Sequence, residues 1–432
     1  MTANPMINRA PSRHRWRIMV IFFLFLLLHQ SDKLLIGPLM KPIMDTFQIN
    51  YTQWGLINTG ALIVGSLLYP LWGWLSDKYN RARLLALAAA IWGSTTWLSA
   101  IAPTYGAFLV TRSSTGIDDS SYPGLYSLVA DYFSPKMRGK IYGLLQLTGP
   151  LGYLVGMVLA LVLSGILGWR AVFYVTGSLG ILLAIVIFFA VPEIPRGSGE
   201  EELKDVDTTK YKFSWSVARD LFKKKSMLMI YIQGFFGVFP WNVITYSIFG
   251  YLEIERRYSA DAMLFTMAPA VLAMAVGYPL GGMLGDWLFK RTPRGRMIVS
   301  AFGVITGAVL LFFTINIPID QPVFFGVMMV ISAIFIPFAG PNVLSTIYDI
   351  SLPEVRATAN ALESFIENAG AATAPVLVGL IADATSLKDS ILIICLVAWV
   401  LCFFFFLGVI YFVPRDISDL HAELRRRAGE AD

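Results

Sequence analysis

Five carboxylates and two fixed cations interrupt apolar stretches of this chain, and their spacing limits the chemistry they can do. Asp32 and Lys33 break the run 18–40, Arg112, Asp118 and Asp119 share a second run, and Glu363 and Glu367 share a third. A charge at the centre of a bilayer costs about 2.5–3.5 kcal/mol on insertion scales, so such groups face a cavity or a partner. Asp118 and Asp119 cannot both ionise easily in low dielectric, and one of them is expected to hold a proton. Asp119 is seven residues from Arg112 and shares its helical face, whereas Asp118 points about 100° away. Glu363 and Glu367 lie one turn apart on one face. Groups of this kind take up and release protons or organic ions. The chain has no HExxH, GxSxG or Walker A motif, and its three histidines, His14, His29 and His421, are too few for a histidine metal cluster. Cys395 and Cys402 fall inside the last apolar run and read as packing thiols. No enzyme, metal or cofactor is expected.

The elements that must hold these groups are membrane spans. Apolar residues make up 56 % and charged residues 15 % of the chain, where a soluble domain has roughly 25 % charged. Runs of about 20 apolar residues cross a bilayer. Twelve are expected, near 17–39, 54–76, 83–103, 106–130, 139–166, 170–191, 227–251, 262–288, 296–315, 322–348, 357–383 and 389–413. With a cytoplasmic N-terminus, 27 of the 34 Lys and Arg fall inside and 5 outside. That bias puts both termini on the cytoplasmic side of a cell membrane, and the net charge of +5 then needs no nucleic-acid partner. The first run reads as a retained helix, because no small-residue cleavage site follows it. The expected organisation is a six-helix bundle over 1–191, a cytoplasmic linker over 192–226, and a second six-helix bundle with a short tail over 227–432.

Depth follows from the helical rise. Asp32 lies about 22 Å from the inner face, and Arg112, on a helix running the other way, lies about 21 Å from it. The two are therefore expected to form an ion pair in the outer half of the first bundle. Pro123-Gly124, just below the aspartates, can open the fourth helix and free backbone carbonyls.

The two halves repeat. Gly73, Asp77, Lys78 and Arg81 in the loop after the second run are echoed by Gly282, Asp286, Lys290 and Arg291, and Asp131-x3-Pro135-x2-Arg138 recurs as Asp349-x3-Pro353-x2-Arg356, every member offset by 218. Duplicated bundles with a site at their interface are the architecture of many secondary transporters. Gly73-x-Leu75-x-Asp77-Lys78-x3-Arg81, Arg112-x3-Gly116 and Gly149-Pro150-x-Gly152 resemble three signatures of the major facilitator superfamily. Asp32-Lys33 with Arg112…Gly116-Ile117-Asp118-Asp119-Ser120-Ser121-Tyr122 is similar to the spinster-like lipid transporters. Those usually show Asp-Arg in the first helix and Gly-Glu before Ala-Ser-Tyr in the fourth, and an Asp-Arg also occurs in organic-anion symporters. The resemblance implies an all-α membrane protein with twelve transmembrane helices in two pseudo-symmetric bundles. It also implies an inner latch in which Asp77 faces the start of the eleventh helix and Asp286 that of the fifth, with Lys78, Arg81, Arg138 and Arg356 in the same loops. Asp77 at a helix N-terminus would be favoured by the helix dipole; the plainer reading is a turn cap with Arg81.

The expected substrate and proton-coupling residues are Asp32, Lys33, Arg112, Asp118, Asp119, Glu363 and Glu367. Tyr122, Gln146, Gln233, Trp241, Asn242 and Asn342 are candidates to line a cavity. The expected function is secondary active transport by alternating access, proton-coupled as a symporter or antiporter, for an amphipathic or anionic organic solute, including lysolipid- or sphingolipid-like molecules. The partners are then the solute, protons and the lipid bilayer, and the protein is expected to be a monomer. Alternatives are an organic-anion symporter, a multidrug-type exporter or an uncoupled facilitator. In another class stands a non-transporting membrane receptor or scaffold, which does not require five buried carboxylates.

Overall fold

A computed structural model describes residues 12–119, 121–133, 141, 144–194, 221–352 and 355–429. The described residues are almost entirely helical, with no strand among them. That is the expected answer to a solvent that offers the backbone no hydrogen bonds. Among the described residues, ten helices are long and apolar enough to cross a membrane. Two expected spans fall short for identifiable reasons. The first, Ser12–Leu34, carries charges towards both ends. The fourth is broken into Tyr105–Ser114, Gly116–Asp119 and Tyr122–Tyr132.

The chain forms two compact units, 1–39 with 60–208, and 40–59 with 209–432. In the first, the first span packs on the fifth (Thr148–Val158), and the third (Arg81–Ile101) packs on the sixth (Trp169–Ala190). Small residues let these backbones meet, as in membrane helix pairs generally. A methyl group added to Gly152 would lie 3.0 Å from the Leu27 carbonyl oxygen and 3.2 Å from the Ser31 nitrogen. The Gly149-Pro150-x-Gly152 segment thus seats the fifth span against the turn that carries Asp32. Asn80 and Thr104 cap the third span and the first piece of the fourth through their side-chain oxygens, satisfying orphan amides at the helix starts.

In the second unit the seventh span is a pair of helices, Lys225–Gly237 and Phe239–Gly250, and the eighth is one helix, Ala260–Phe289. Arg356–Ala384 and Leu387–Gly429 close it. The last helix runs well past the expected end near 413. Pro414 lies inside it, and the residues beyond are rich in the good helix formers Leu, Ala, Glu and Arg. The short helix Met40–Phe47 packs against Phe239–Gly250. Asp383 accepts the Tyr51 and Thr52 amides, each at 2.9 Å, at the start of Tyr51–Lys78. Just outside the seventh span, Lys224 donates to the Ile350 carbonyl at 2.6 Å. Burial pulls its pKa below the ordinary lysine value.

Candidate functional site

The break in the fourth span is built by its neighbours. Thr115 turns its hydroxyl onto the Arg112 carbonyl at 2.6 Å, and Trp72 donates its indole N–H to the Ile117 carbonyl at 2.5 Å. Carbonyls freed at the break therefore find partners inside the protein, as lipid-buried backbone must. Gly116 lets the second span approach: a side chain there would lie 2.8 Å from the Gly65 nitrogen and against the Ala61 carbonyl. The short helix Gly116–Asp119 then presents two adjacent carboxylates to the first span.

Two polar clusters result in the first unit. In one, Asp32 accepts hydrogen bonds from Thr176 at 2.6 Å and Thr96 at 3.1 Å. The Arg112 guanidinium lies 3.5 Å from the same carboxylate, with its other side over the Phe173 ring at 5.2 Å. In the second cluster, Lys33 pairs with Asp119 at 2.8 Å. His29 joins the two aspartates: its Nε2 contacts Asp118 Oδ2 and lies 3.7 Å from Asp119 Oδ1. Its Nδ1 is 2.6 Å from the Tyr122 hydroxyl, which also accepts from Gln30 at 3.3 Å. A neutral ring that donates Nε2–H to Asp118 accepts the Tyr122 proton at Nδ1, and every donor is then used consistently. Phe25 and Trp92 wall the imidazole, with ring centroids at 5.8 and 5.3 Å. Asp118 Oδ1 is buried without a hydrogen-bond partner.

His29 is the functional candidate that sequence reasoning missed, having weighed it only as a metal ligand. The available signal was a histidine one turn before Asp32 inside an apolar run. No group of three or more His, Cys, Asp or Glu suited to a metal ion occurs among the described residues.

Glu363 and Glu367 belong to the second unit, where they line a cavity of about 400 Å³ with Gln233, Trp241, Tyr278 and Trp399. Two expected cavity residues do not line it. Asn342 gives its amide to the Gly281 and Phe338 carbonyls at 3.0 and 2.8 Å, and Asn242 gives its own to Val238 at 3.0 Å. The Asn342 amide thus ties the tenth span to the eighth, whereas that of Asn242 bonds back to a carbonyl of its own span. Gln146 is exposed in the first unit, and Tyr122 is bound up with His29.

Among the described residues, members of the loop signatures have contacts within their own unit. Arg81 is buried and reaches Asp131 at 2.5 Å, Glu193 at 2.8 Å and the Ile194 carbonyl at 2.9 Å. In the second unit Arg296 lies 2.7 Å from Asp286 and also contacts Asp349. Arg138 and the side chains of Asp77 and Arg356 lie outside the described residues. Gly73 has open space around its Cα, and Lys78 sits over the Trp74 ring at 4.9 Å.

Comparisons with known proteins bear on this arrangement. The family model described as Major Facilitator Superfamily matches residues 21–375. Protein spinster of Drosophila melanogaster is 27% identical over 394 residues, which are 86% of this chain and 62% of that protein. The chain thus spans less than two thirds of that relative. The cis,cis-muconate transport protein of Acinetobacter baylyi is 27% identical over 386 residues, 87% of this chain and 89% of that one. Among solved structures, a bacterial homolog to the human lysosomal transporter spinster, in an inward-facing and unoccupied conformation, superposes with a TM-score of 0.85 at 19% identity, covering 94% of this chain and 99% of that one. The nucleoside transporter NupG does so with a TM-score of 0.70 at 16% identity, covering 91% and 98%. At those identities the two structures speak for the fold.

Proposed function

Because the chain belongs to the major facilitator superfamily and is a spinster-like, multi-pass membrane transporter, we propose that it is a secondary active transporter. It couples proton movement to the passage of an amphipathic organic solute by alternating access, as a monomer in a cell membrane with both termini cytoplasmic. The observation that carries this reading is the chain of exchangeable protons Tyr122–His29–Asp118, set beside the Asp119–Lys33 pair. Charge counting supports it. Asp32, Asp118 and Asp119 supply three carboxylates, and Lys33 and Arg112 supply two fixed cations. One proton, shared between His29 and Asp118, brings the cluster to neutrality, the state that a low-dielectric surround favours.

Lys33 and Arg112 each lie against a carboxylate, which favours an amphipathic solute over a simple anion. The muconate transporter's name leaves organic acids as a comparison substrate for screening. The break in the fourth span at Thr115 and Ser121 supplies an element able to move with the protonation state.

The test uses purified protein in liposomes under an imposed pH gradient. Asp118→Asn or Asp119→Asn removes a titrating carboxylate while keeping its size. Counterflow exchange is expected to survive and uphill accumulation to fall at least tenfold. Full gradient-driven accumulation in both variants and in His29→Gln would exclude this cluster as the proton carrier, and no gradient-driven accumulation in the unaltered protein would make the chain an uncoupled facilitator.

A further inference from the structure

The cavity of the second unit has a chemical character that the proton cluster of the first does not share. Glu363 is 4% exposed, lines this cavity, and neither of its carboxylate oxygens has a hydrogen-bond partner. Glu367 lies one turn further along the same helix and lines the same cavity. None of the lining residues is Lys, Arg or His. Among the described residues, the buried Glu363 and the exposed Glu367 therefore face a void whose lining provides no cation. Burying such a group without a partner is costly, and a bound partner removes that cost.

The walls narrow the choice of partner. Trp241, Tyr278 and Trp399 line the void, and aromatic faces attract cations through the ring quadrupole. A volume of about 400 Å³ is that of a small-molecule site and far exceeds a bare ion. Gly234 makes room for the acid: a methyl group on it would lie 2.9 Å from the Glu363 carboxyl carbon and 3.2 Å from Oε2.

We propose that this cavity binds an organic ammonium ion, its N–H groups donating to Glu363 and Glu367 and its apolar or aromatic body lying against Trp241, Tyr278 and Trp399. A primary or secondary amine fits better than a quaternary one, because the Glu363 oxygens lack a hydrogen-bond donor as well as a counter-charge. The proposal rests on the transport reading above, to whose solute it gives a charge and a shape, but binding alone tests it.

Full-length protein in nanodiscs of zwitterionic lipid at pH 7 is titrated with tritiated 4-phenylbutylamine, in competition with unlabelled 4-phenylbutylamine, 4-phenylbutanol or 4-phenylbutyrate. The unlabelled amine is expected to compete at least tenfold better than the alcohol or the acid. Glu363→Gln should weaken binding at least tenfold and Glu367→Gln severalfold. Gly234→Ala, which keeps both charges, should weaken it by a smaller factor. Equal competition by the alcohol, or wild-type affinity in Glu363→Gln, overturns the proposal and leaves the two acids as proton carriers. Should Glu363→Gln not fold, wild-type affinity in both Glu367→Gln and Gly234→Ala overturns it equally. Amine binding without any gradient-driven uptake in liposomes would sink the transport reading and spare this site. Gradient-driven uptake of other solutes without amine binding would do the reverse.

Discussion

Asp32 and Arg112 show how a charge is kept inside an apolar span. The carboxylate has two threonine hydroxyls as well as the guanidinium, and the guanidinium has an aromatic face. Removing one member leaves the other buried and unbalanced, which is far worse than removing both. Arg112→Gln is therefore expected to lower thermal stability in detergent and to disturb the pH optimum of transport. Asp32→Asn in the same chain should restore part of the loss, with a coupling energy of about 0.5–3 kcal/mol. Strictly additive effects in the double-mutant cycle would mean that the two side chains do not depend on each other. His29 makes the same point from another side. Its ring is placed by Phe25 of its own span together with Trp92 and Tyr122 of neighbouring spans, so packing between spans decides which carboxylate it meets.

The element that matters most is the broken fourth span. A continuous helix through 115–121 would keep its carbonyls to itself. The break hands the Ile117 carbonyl to Trp72 and turns Asp118 and Asp119 towards the first span. Gly116 is where the second and fourth spans touch, and the atoms opposite are backbone, which cannot swing aside. Gly116→Ala should cost about 1–3 kcal/mol of stability through overpacking. Gly106→Ala, ten residues earlier with nothing within 4 Å, should change it by less than about 0.5 kcal/mol. Thermal unfolding of the two variants side by side checks this, and equal midpoints would remove the close approach as an explanation of the break.

At the scale of the molecule, duplication extends to the ion pairs. Arg81 with Asp131 in the first unit corresponds to Arg296 with Asp349 in the second, each joining the start of one span to the end of the next. Such pairs tie span ends together within each unit, and the basic residues they use belong to the count from which an orientation is expected. Cysteines placed at Asn50 and Ala260, both exposed, are expected to react with an impermeant thiol reagent added outside intact cells. One at Thr208, outside the described residues, should be protected until the cells are permeabilised. Labelling at Thr208 in sealed cells would invert the topology.

What the sequence determined by itself is whatever a helix in a bilayer makes one-dimensional. Span existence follows from apolar length and depth from a fixed rise of 1.5 Å per residue, and counting basic residues gives an expected orientation. Depth is why Asp32 and Arg112, 80 residues apart, could be paired on paper; they lie 3.5 Å apart in space. Azimuth is not available in that way, because the direction in which a face points has meaning only once the neighbouring helix is known. Tertiary packing alone decided that His29 meets Asp118 across 89 positions. It likewise decided that Asn342 is absorbed by the Gly281 and Phe338 carbonyls and that Arg81 turns inward to Asp131. The broken helix belongs with these. Pro123 sits in the first turn of Tyr122–Tyr132, so the interruption at Ser121 falls where Pro123-Gly124 marked a weak point, whereas the one at Thr115–Gly116 does not. There Trp72 and Gly65 of the second span offer the freed backbone a partner and a place.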